Sequence, residues 1–495
     1  MSFDLVQVAD VVVEFGALDR LRRIAQPFEG LVERGLQRGE VGVEAHGTLP
    51  TTREVGGYVE AVLSRLDLRG VADPEPLLPR PVREDGDVLR SVRETLAAVR
   101  EGGDAAVLEL TERFDGVRLE QTRVPESALR AALSAQPREV REALELAAER
   151  IESHHRMQLR DPVSHDTGGV HIHSSFRPVD RAGCYVPGGR AAYPSTLLMT
   201  AVPAKVAGVR EVVVCVPPDR STGEIASVTL AAAAVAGVTE VHAVGGAQAI
   251  AAMAYGTEAI PSVDVICGPG NAYVATAKRE VADTVGIAAA FAGPSEVVVI
   301  ADDTVPPEFA AVDVILQAEH GPDGLAWCIT WDAEAADRID AAVAALTAAA
   351  PRREEIAATL ERSGHLVIVD SPAAAMDVAN LVAPEHLELL CADVAELLPF
   401  VRNAGAVFVG PWSPASIGDY LAGPSHVLPT DGSARFASAL TVDDFLKHHH
   451  VVTVDGAAFD RLAPAVEALA VAEGLDAHAE SIRVRRRVRG NGTDR

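Results

Sequence analysis

Short runs of β-branched and aliphatic residues recur through the middle of this chain, with helical stretches between them. Glu211-Val-Val-Val-Cys-Val-Pro, Val241-His-Ala-Val, Val263-Asp-Val-Ile-Cys and Glu296-Val-Val-Val-Ile-Ala form one set. Residues 326–331, His365-Leu-Val-Ile-Val369 and Ala406-Val-Phe-Val409 form a second. Runs this apolar suit strands buried on both faces. Strands alternating with helices imply right-handed crossovers and parallel sheets. The expected fold class is therefore α/β, with two Rossmann-like parallel-sheet units and helical N-terminal and C-terminal segments.

The helical lead-in is read from period. Val88 to Val99 repeats apolar residues at three and four, and Gly102-Gly103 ends the run. Further helices are expected over 104–114 and 138–159. Residues 1–85 read as an appended region: helical over 5–36, loop-like over 42–55 and helical again over 59–66. The segment Pro74-Glu-Pro-Leu-Leu-Pro-Arg-Pro81 reads as a linker, because each proline removes a donor and biases its neighbour away from helix.

Composition narrows the function classes. The 495 residues are 48% hydrophobic but only 4% aromatic, so small side chains fill the interior, as suits helices packed on a parallel sheet. A net charge of −27 argues against nucleic acid as a partner. The basic run Arg483–Arg489 reads as solvated or helix-ending. Five scattered cysteines with no CxxC fit a reducing compartment. With no secretory signal and no long charge-free apolar run, a cytoplasmic location and no membrane partner are expected.

Several polar residues carry candidate chemistry. Gln317-Ala-Glu-His320 closes an apolar helical stretch, and positions three apart share a helix face. Gln317 Oε1 and His320 Nε2 could then meet at one metal ion, and oxygen and imidazole ligands without thiolate suit zinc or a similar divalent ion. Glu385 and His386 diverge as neighbours, which leaves two separate duties, one with a substrate proton and one with water. They could equally open a helix, with Glu385 at its positive end. Asp419, between Gly418 and Tyr420, is a carboxylate ligand or a turn residue. His478, five after Glu473, is a ligand or a surface histidine. His448-His-His450 cannot all face one ion from a strand and read as structural or solvated. Three glycine-rich turns could meet a nucleotide at the carboxyl edge of a sheet: Pro187-Gly-Gly, Gly245-Gly246 and Gly268-Pro-Gly270. None completes GxGxxG, so each reads as a tight turn or as a phosphate or ribose contact.

Longer motifs join these residues. They include Gly183-Cys-Tyr-Val-Pro-Gly-Gly, Val244-Gly-Gly-Ala-Gln-Ala-Ile, Cys267-Gly-Pro-Gly-Asn-Ala-Tyr-Val and Gln317-Ala-Glu-His-Gly. Others are Ala383-Pro-Glu-His-Leu-Glu, Gly418-Asp-Tyr-Leu-Ala-Gly-Pro-Ser-His and Ala472-Glu-Gly-Leu-Asp-Ala-His. In this order, from about Val88 to Arg487, the chain resembles the histidinol dehydrogenase family. The resemblance implies oxidation of L-histidinol to L-histidine through an aldehyde, with NAD and one zinc ion per subunit. It assigns Gln317, His320, Asp419 and His478 to zinc, and Glu385 and His386 to catalysis. It assigns Ser295, His426 and Glu473 to the substrate side, where Gln317, His320, His386, Asp419 and His478 also face substrate. Tyr185, Gln248 and Asn271 match its NAD contacts.

The layout implied is an extension of unknown role over 1–85, and a metal and catalytic domain from 86–183 joined to 297–436. An NAD-binding domain covers 184–296, and a helical segment over 437–495 completes the site of a partner subunit in a homodimer. The long extension and the histidine-rich stretch depart from the family pattern. Alternative readings are a relative that oxidises another polar alcohol, such as a sulfonated diol, and a degenerate copy kept as a binding protein. Intact Glu385 and His386 argue against the latter.

Overall fold

In a computed structural model, residues 62–79, 86–188, 191–289, 295–319, 321 and 324–492 are described. Strand β1 (Ser64–Asp67) comes first, then helices α1 (Gly86–Asp115), α2 (Glu126–Ala135) and α3 (Arg138–Arg156). Strands β2 (Val163–Thr167) and β3 (Val170–Pro178) form a hairpin. Alternation then takes over: β4 (Arg181–Tyr185), α4 (Pro194–Val206), β5 (Glu211–Val216), α5 (Ser227–Val235), β6 (Glu240–Ala243) and α6 (Gly246–Tyr255). It continues through β7 (Val265–Cys267), α7 (Ala272–Glu280) and β8 (Gly286–Ile287).

The second round runs β9 (Glu296–Ala301), α8 (Pro307–Ala318), β10 (Leu325–Thr330), α9 (Ala333–Ala349) and α10 (Arg353–Ser363). After it come β11 (Gly364–Ile368), α11 (Pro372–Val382), β12 (His386–Leu390), α12 (Val394–Leu397), β13 (Ala406–Val409) and α13 (Ala415–Tyr420). The chain closes with β14 (Leu446–Val454), α14 (Gly456–Ala472) and α15 (Asp476–Gly492).

The first round makes a five-stranded parallel sheet in the order β6-β5-β4-β7-β8. The second makes a six-stranded parallel sheet in the order β1-β11-β10-β9-β12-β13. Every residue of β9, β10 and β12 is buried, which explains the unbroken apolar runs of β9 and β10. The helix expected to stop at Gly102-Gly103 does kink there. Gly103 has φ +54°, and a Cβ on it would lie 2.7 Å from Glu258 Oε2, which accepts the Asp104 N–H at 3.1 Å.

Three readings need correction or addition. The helix expected over 59–66 is in part β1, an edge strand pairing Ser64 with His365 and Asp67 with Ile368. Residues 64–67 thus belong to the larger sheet rather than to a detached extension. The C-terminal segment is helical from Gly456 onward, but it opens with β14, which pairs antiparallel along all of β3. The patterns read over 5–36 and 42–55 lie outside the described residues. The basic run Arg483–Arg489 lies on α15, where Arg483 pairs with Glu467 and Arg489 with Asp460 of α14.

Candidate active site

Glu385 and His386 open a strand, not a helix. β12 begins at His386, between β9 and β13, so the pair is seated at the amino end of the larger sheet. Both side chains grip the backbone of Glu296 on β9. Glu385 Oε2 accepts the Glu296 N–H at 2.9 Å, and His386 Nδ1 lies 2.9 Å from the Glu296 carbonyl. A carbonyl can only accept, so Nδ1 carries the hydrogen and Nε2 is left as the acceptor. Nε2 faces Asp419 Oδ1 at 3.6 Å.

Three other elements close on this imidazole. Gln317, in the last turn of α8, packs its amide Nε2 3.1 Å from His386 Nδ1, a contact and not a hydrogen bond since both groups carry hydrogens. Its Oε1 is buried and has no partner among the described residues. Asp419 sits on α13, and its carbonyl accepts from His426 Nδ1 at 2.9 Å. His426 Nε2 is then free to accept from the Thr196 hydroxyl, 3.0 Å away on α4. Phe408 of β13 stacks on His386 with ring centroids 5.8 Å apart. Gly418 lets α13 approach that ring, since a Cβ there would lie 2.4 Å from Phe408 Cζ.

Electrostatics separate the two histidines. Burial opposes charge on His386, but the Glu385 and Asp419 carboxylates outweigh it and hold its pKa well above the ordinary value. Burial dominates at His426 and lowers its pKa, despite Asp419. The carboxylates thus favour a proton on one ring, and burial disfavours it on the other.

A cavity of about 410 Å³ opens on this cluster. Its walls include Glu385, His386, Asp419, His426 and Ser295, which bring five expected site residues together, with Asn271 on the opposite wall. That wall is the carboxyl edge of the smaller sheet: Pro187-Gly188 after β4 and Pro269-Gly270-Asn271 after β7. These two strands flank the point where strand order reverses, which is where open parallel sheets take ligands. The cavity therefore joins the carboxyl edge of one sheet to the amino edge of the other.

The remaining candidates lie elsewhere. Tyr185 and Gln248 are buried behind the carboxyl edge. The Tyr185 hydroxyl accepts the Gly246 N–H at 3.2 Å, and Gln248 Nε2 is 3.5 Å from Asp115 Oδ2. Asn271 caps α7, its Oδ1 accepting from the Tyr273 and Val274 N–H groups. His320 lies outside the described residues. Glu473, in the turn between α14 and α15, and His478 on α15 are exposed and do not line the cavity.

A metal at this place has partial donors in one chain. Among the described residues, no group of three or more His, Cys, Asp or Glu is spaced to hold one. The unpartnered Gln317 Oε1 and the Asp419 carboxylate are nevertheless the hard oxygen donors that a divalent ion accepts. A buried amide oxygen without a donor is costly unless a ligand completes it.

The motifs extend over most of the chain. Residues 78–486 match the sequence model of the family described as histidinol dehydrogenase. The chain belongs to the histidinol dehydrogenase family. The histidinol dehydrogenase of Parasynechococcus marenigrum is 50% identical over 400 residues, covering 81% of this chain and 91% of that one. That of Pseudomonas aeruginosa is 47% identical over 405 residues, covering 81% and 91%. A crystal structure of histidinol dehydrogenase from Elizabethkingia anophelis superposes with a TM-score of 0.82 at 34% identity, over 87% of this chain and 99% of that chain. The match to the family begins after β1, so this edge strand lies ahead of the matched range.

Motif reading missed Thr196, Glu296 and Phe408. Thr196 and Glu296 act through contacts 230 and 90 residues away, and no local pattern announces such partners.

Proposed function

We propose that this chain carries out the zinc-dependent, NAD-linked oxidation of L-histidinol to L-histidine in two steps through the aldehyde. The observation that carries the proposal is His386: a buried imidazole with its hydrogen fixed on Nδ1 and its acceptor nitrogen turned toward Asp419, on the wall of a cavity that the β4 and β7 turns also line.

The roles follow from what each side chain can do. His386 Nε2 takes the hydroxyl proton of the alcohol, and later that of the hydrated aldehyde. Glu385, held by the Glu296 N–H, draws a proton from the water that adds to the aldehyde. Ser295, His426 and Glu473 orient the polar end of the substrate. Gln317 and Asp419 would hold zinc, with His320 and with His478 of a second copy of the chain. Asn271 would meet NAD at the carboxyl edge of β4 and β7, with Tyr185 and Gln248 supporting the Gly246 turn from behind. Bound zinc supplies a positive charge that fixes the amino alcohol's nitrogens and offsets Asp419, so that Nε2 can act as a base. Bound NAD supplies the hydride acceptor.

The functional unit proposed is a homodimer with shared sites. Glu473 and His478 are exposed and away from the cavity, and the α14–α15 arm that carries them exposes Leu462, Leu469 and Leu475 at 45%, 65% and 41%. Apolar side chains gathered on one arm mark a surface that another chain covers. Among the described residues no helix is long and apolar enough to cross a membrane. The five free, buried thiols support a place in the reducing cytoplasm.

The test is stoichiometric. Protein supplied with zinc and NAD should form about two NADH per L-histidinol consumed, one per hydride removed, and chelation should abolish turnover. Turnover of another polar alcohol with none of histidinol would overturn the substrate, and full activity in metal-free protein would overturn the metal.

A further inference from the structure

Behind the His386 cluster lies a second pair of acids that the chemistry above does not use. Glu388 follows His386 by two on β12 and so lies on the same face of the strand. Asp313 precedes Gln317 by four on α8 and so shares its helix face. Glu388 is fully buried and Asp313 is 6% exposed. Glu388 Oε1 accepts the N–H of Ala415, the first residue of α13, at 2.9 Å. Glu388 Oε2 has no donor among the described residues and meets the Asp313 carboxyl, whose oxygens can only accept unless protonated. Two buried carboxyls in contact hold a proton between them. Burial, joined at Glu388 by Asp313, raises the pKa of both.

A pair of apolar side chains of similar size would fill this space with no charge to desolvate, so stability alone does not account for two buried acids. Their location does. α8 carries Gln317, β12 carries His386 and α13 carries Asp419, and the pair touches all three elements at one point. We propose that Asp313 and Glu388 act as a positioning clamp, sharing a proton to tie α8 to β12 while Glu388 pins the start of α13, so that Gln317, His386 and Asp419 stay in register. The clamp rests on the reading of those three residues as the family site.

Two variants separate clamping from space-filling. Glu388→Gln keeps an acceptor for the Ala415 N–H and supplies a donor to Asp313. The double variant Glu388→Met with Asp313→Val removes every polar contact without leaving a lone charge. Amide hydrogen exchange over 415–420 reads the clamp with no need of metal or turnover. Zinc affinity, by competition with a chromogenic chelator, reads its effect on the site. Glu388→Gln should stay within about threefold of wild type in both, while the double variant should exchange faster over 415–420 and bind zinc roughly tenfold or more weakly. KM for NAD should not move. A folded double variant with wild-type exchange and zinc affinity would overturn the proposal. If the double variant does not fold, Glu388→Gln alone decides: it keeps the pair's net charge and its bonds, so loss of protection over 415–420 there would overturn the clamp. A wild-type protein that binds no zinc would remove the reading of those three residues as a metal site, and the exchange measurement would still judge the clamp.

Discussion

Lys278 is buried to 1% exposure on α7, and its ammonium donates to the Gly268 carbonyl in the turn after β7. Burial drives its pKa down to about 8 from 10.5, with Cys267 pulling the other way. The folded state therefore sheds this proton before the unfolded state does. Below about pH 8 both states are charged and the burial penalty is full. Between about 8 and 10.5 the unfolded chain binds more protons, so stability rises with pH. Lys278→Met has no such proton to lose. The unfolding free energies of the two proteins, from urea titrations, should therefore shift in favour of the lysine as pH is raised, by up to roughly 3 kcal/mol at the upper end. A difference that stays flat from pH 7 to 10 would show that the amine is hydrated rather than buried.

α13 is a six-residue helix, and glycine within it would ordinarily be replaced by alanine with a small gain in stability. Gly418 reverses that expectation. The Phe408 ring lies where the new methyl would go, and the same ring stacks on His386. Gly418→Ala must push α13 outward, carrying Asp419 with it, or turn Phe408 off the imidazole. Either movement is of ångström size at reacting groups, so kcat should fall at least tenfold, and by about a hundredfold for a full 1 Å shift. The melting temperature should move by only a few degrees. A variant with wild-type kcat would mean that the helix absorbs the methyl by itself.

Legibility follows the same division of elements. Strands that only build a core could be read as apolar runs: β5, β9, β10, β11 and β13 lie where the Val and Ile clusters lie. Strands that serve a site could not. β12 reads His-Leu-Glu-Leu-Leu and β4 reads Arg-Ala-Gly-Cys-Tyr, because functional groups take positions that β-branched residues would fill. β1 is only four residues long, too short for a period to distinguish strand from helix. Of the site, Ser295, Asn271, Glu385, His386, Asp419 and His426 could be named from motifs and share the cavity. Thr196, Phe408 and the Asp313–Glu388 pair could not, since their importance comes from contacts that topology alone creates.

At the scale of the whole molecule, the arm formed by β14, α14 and α15 carries the proposal that one chain alone is incomplete. Its residues Glu473 and His478 match family positions that should serve a site, yet in the single chain they are solvent-exposed. If a second copy supplies them, two differently inactivated chains can rescue each other. Take one chain with His386→Asn and another with His478→Asn, each inactive alone. In a mixed dimer one site receives both defects. The other site receives the intact His386 of the second chain and the intact His478 of the first. Random reassociation of equal amounts gives half mixed dimers, each with one good site of two, so about a quarter of wild-type activity should return. The pair should be unfolded and refolded together, so that subunits exchange, and assayed beside separately refolded controls. Rescue requires that each arm reach the other body. If the arm serves its own chain, every site in the mixture keeps one defect, and no activity returns at any mixing ratio.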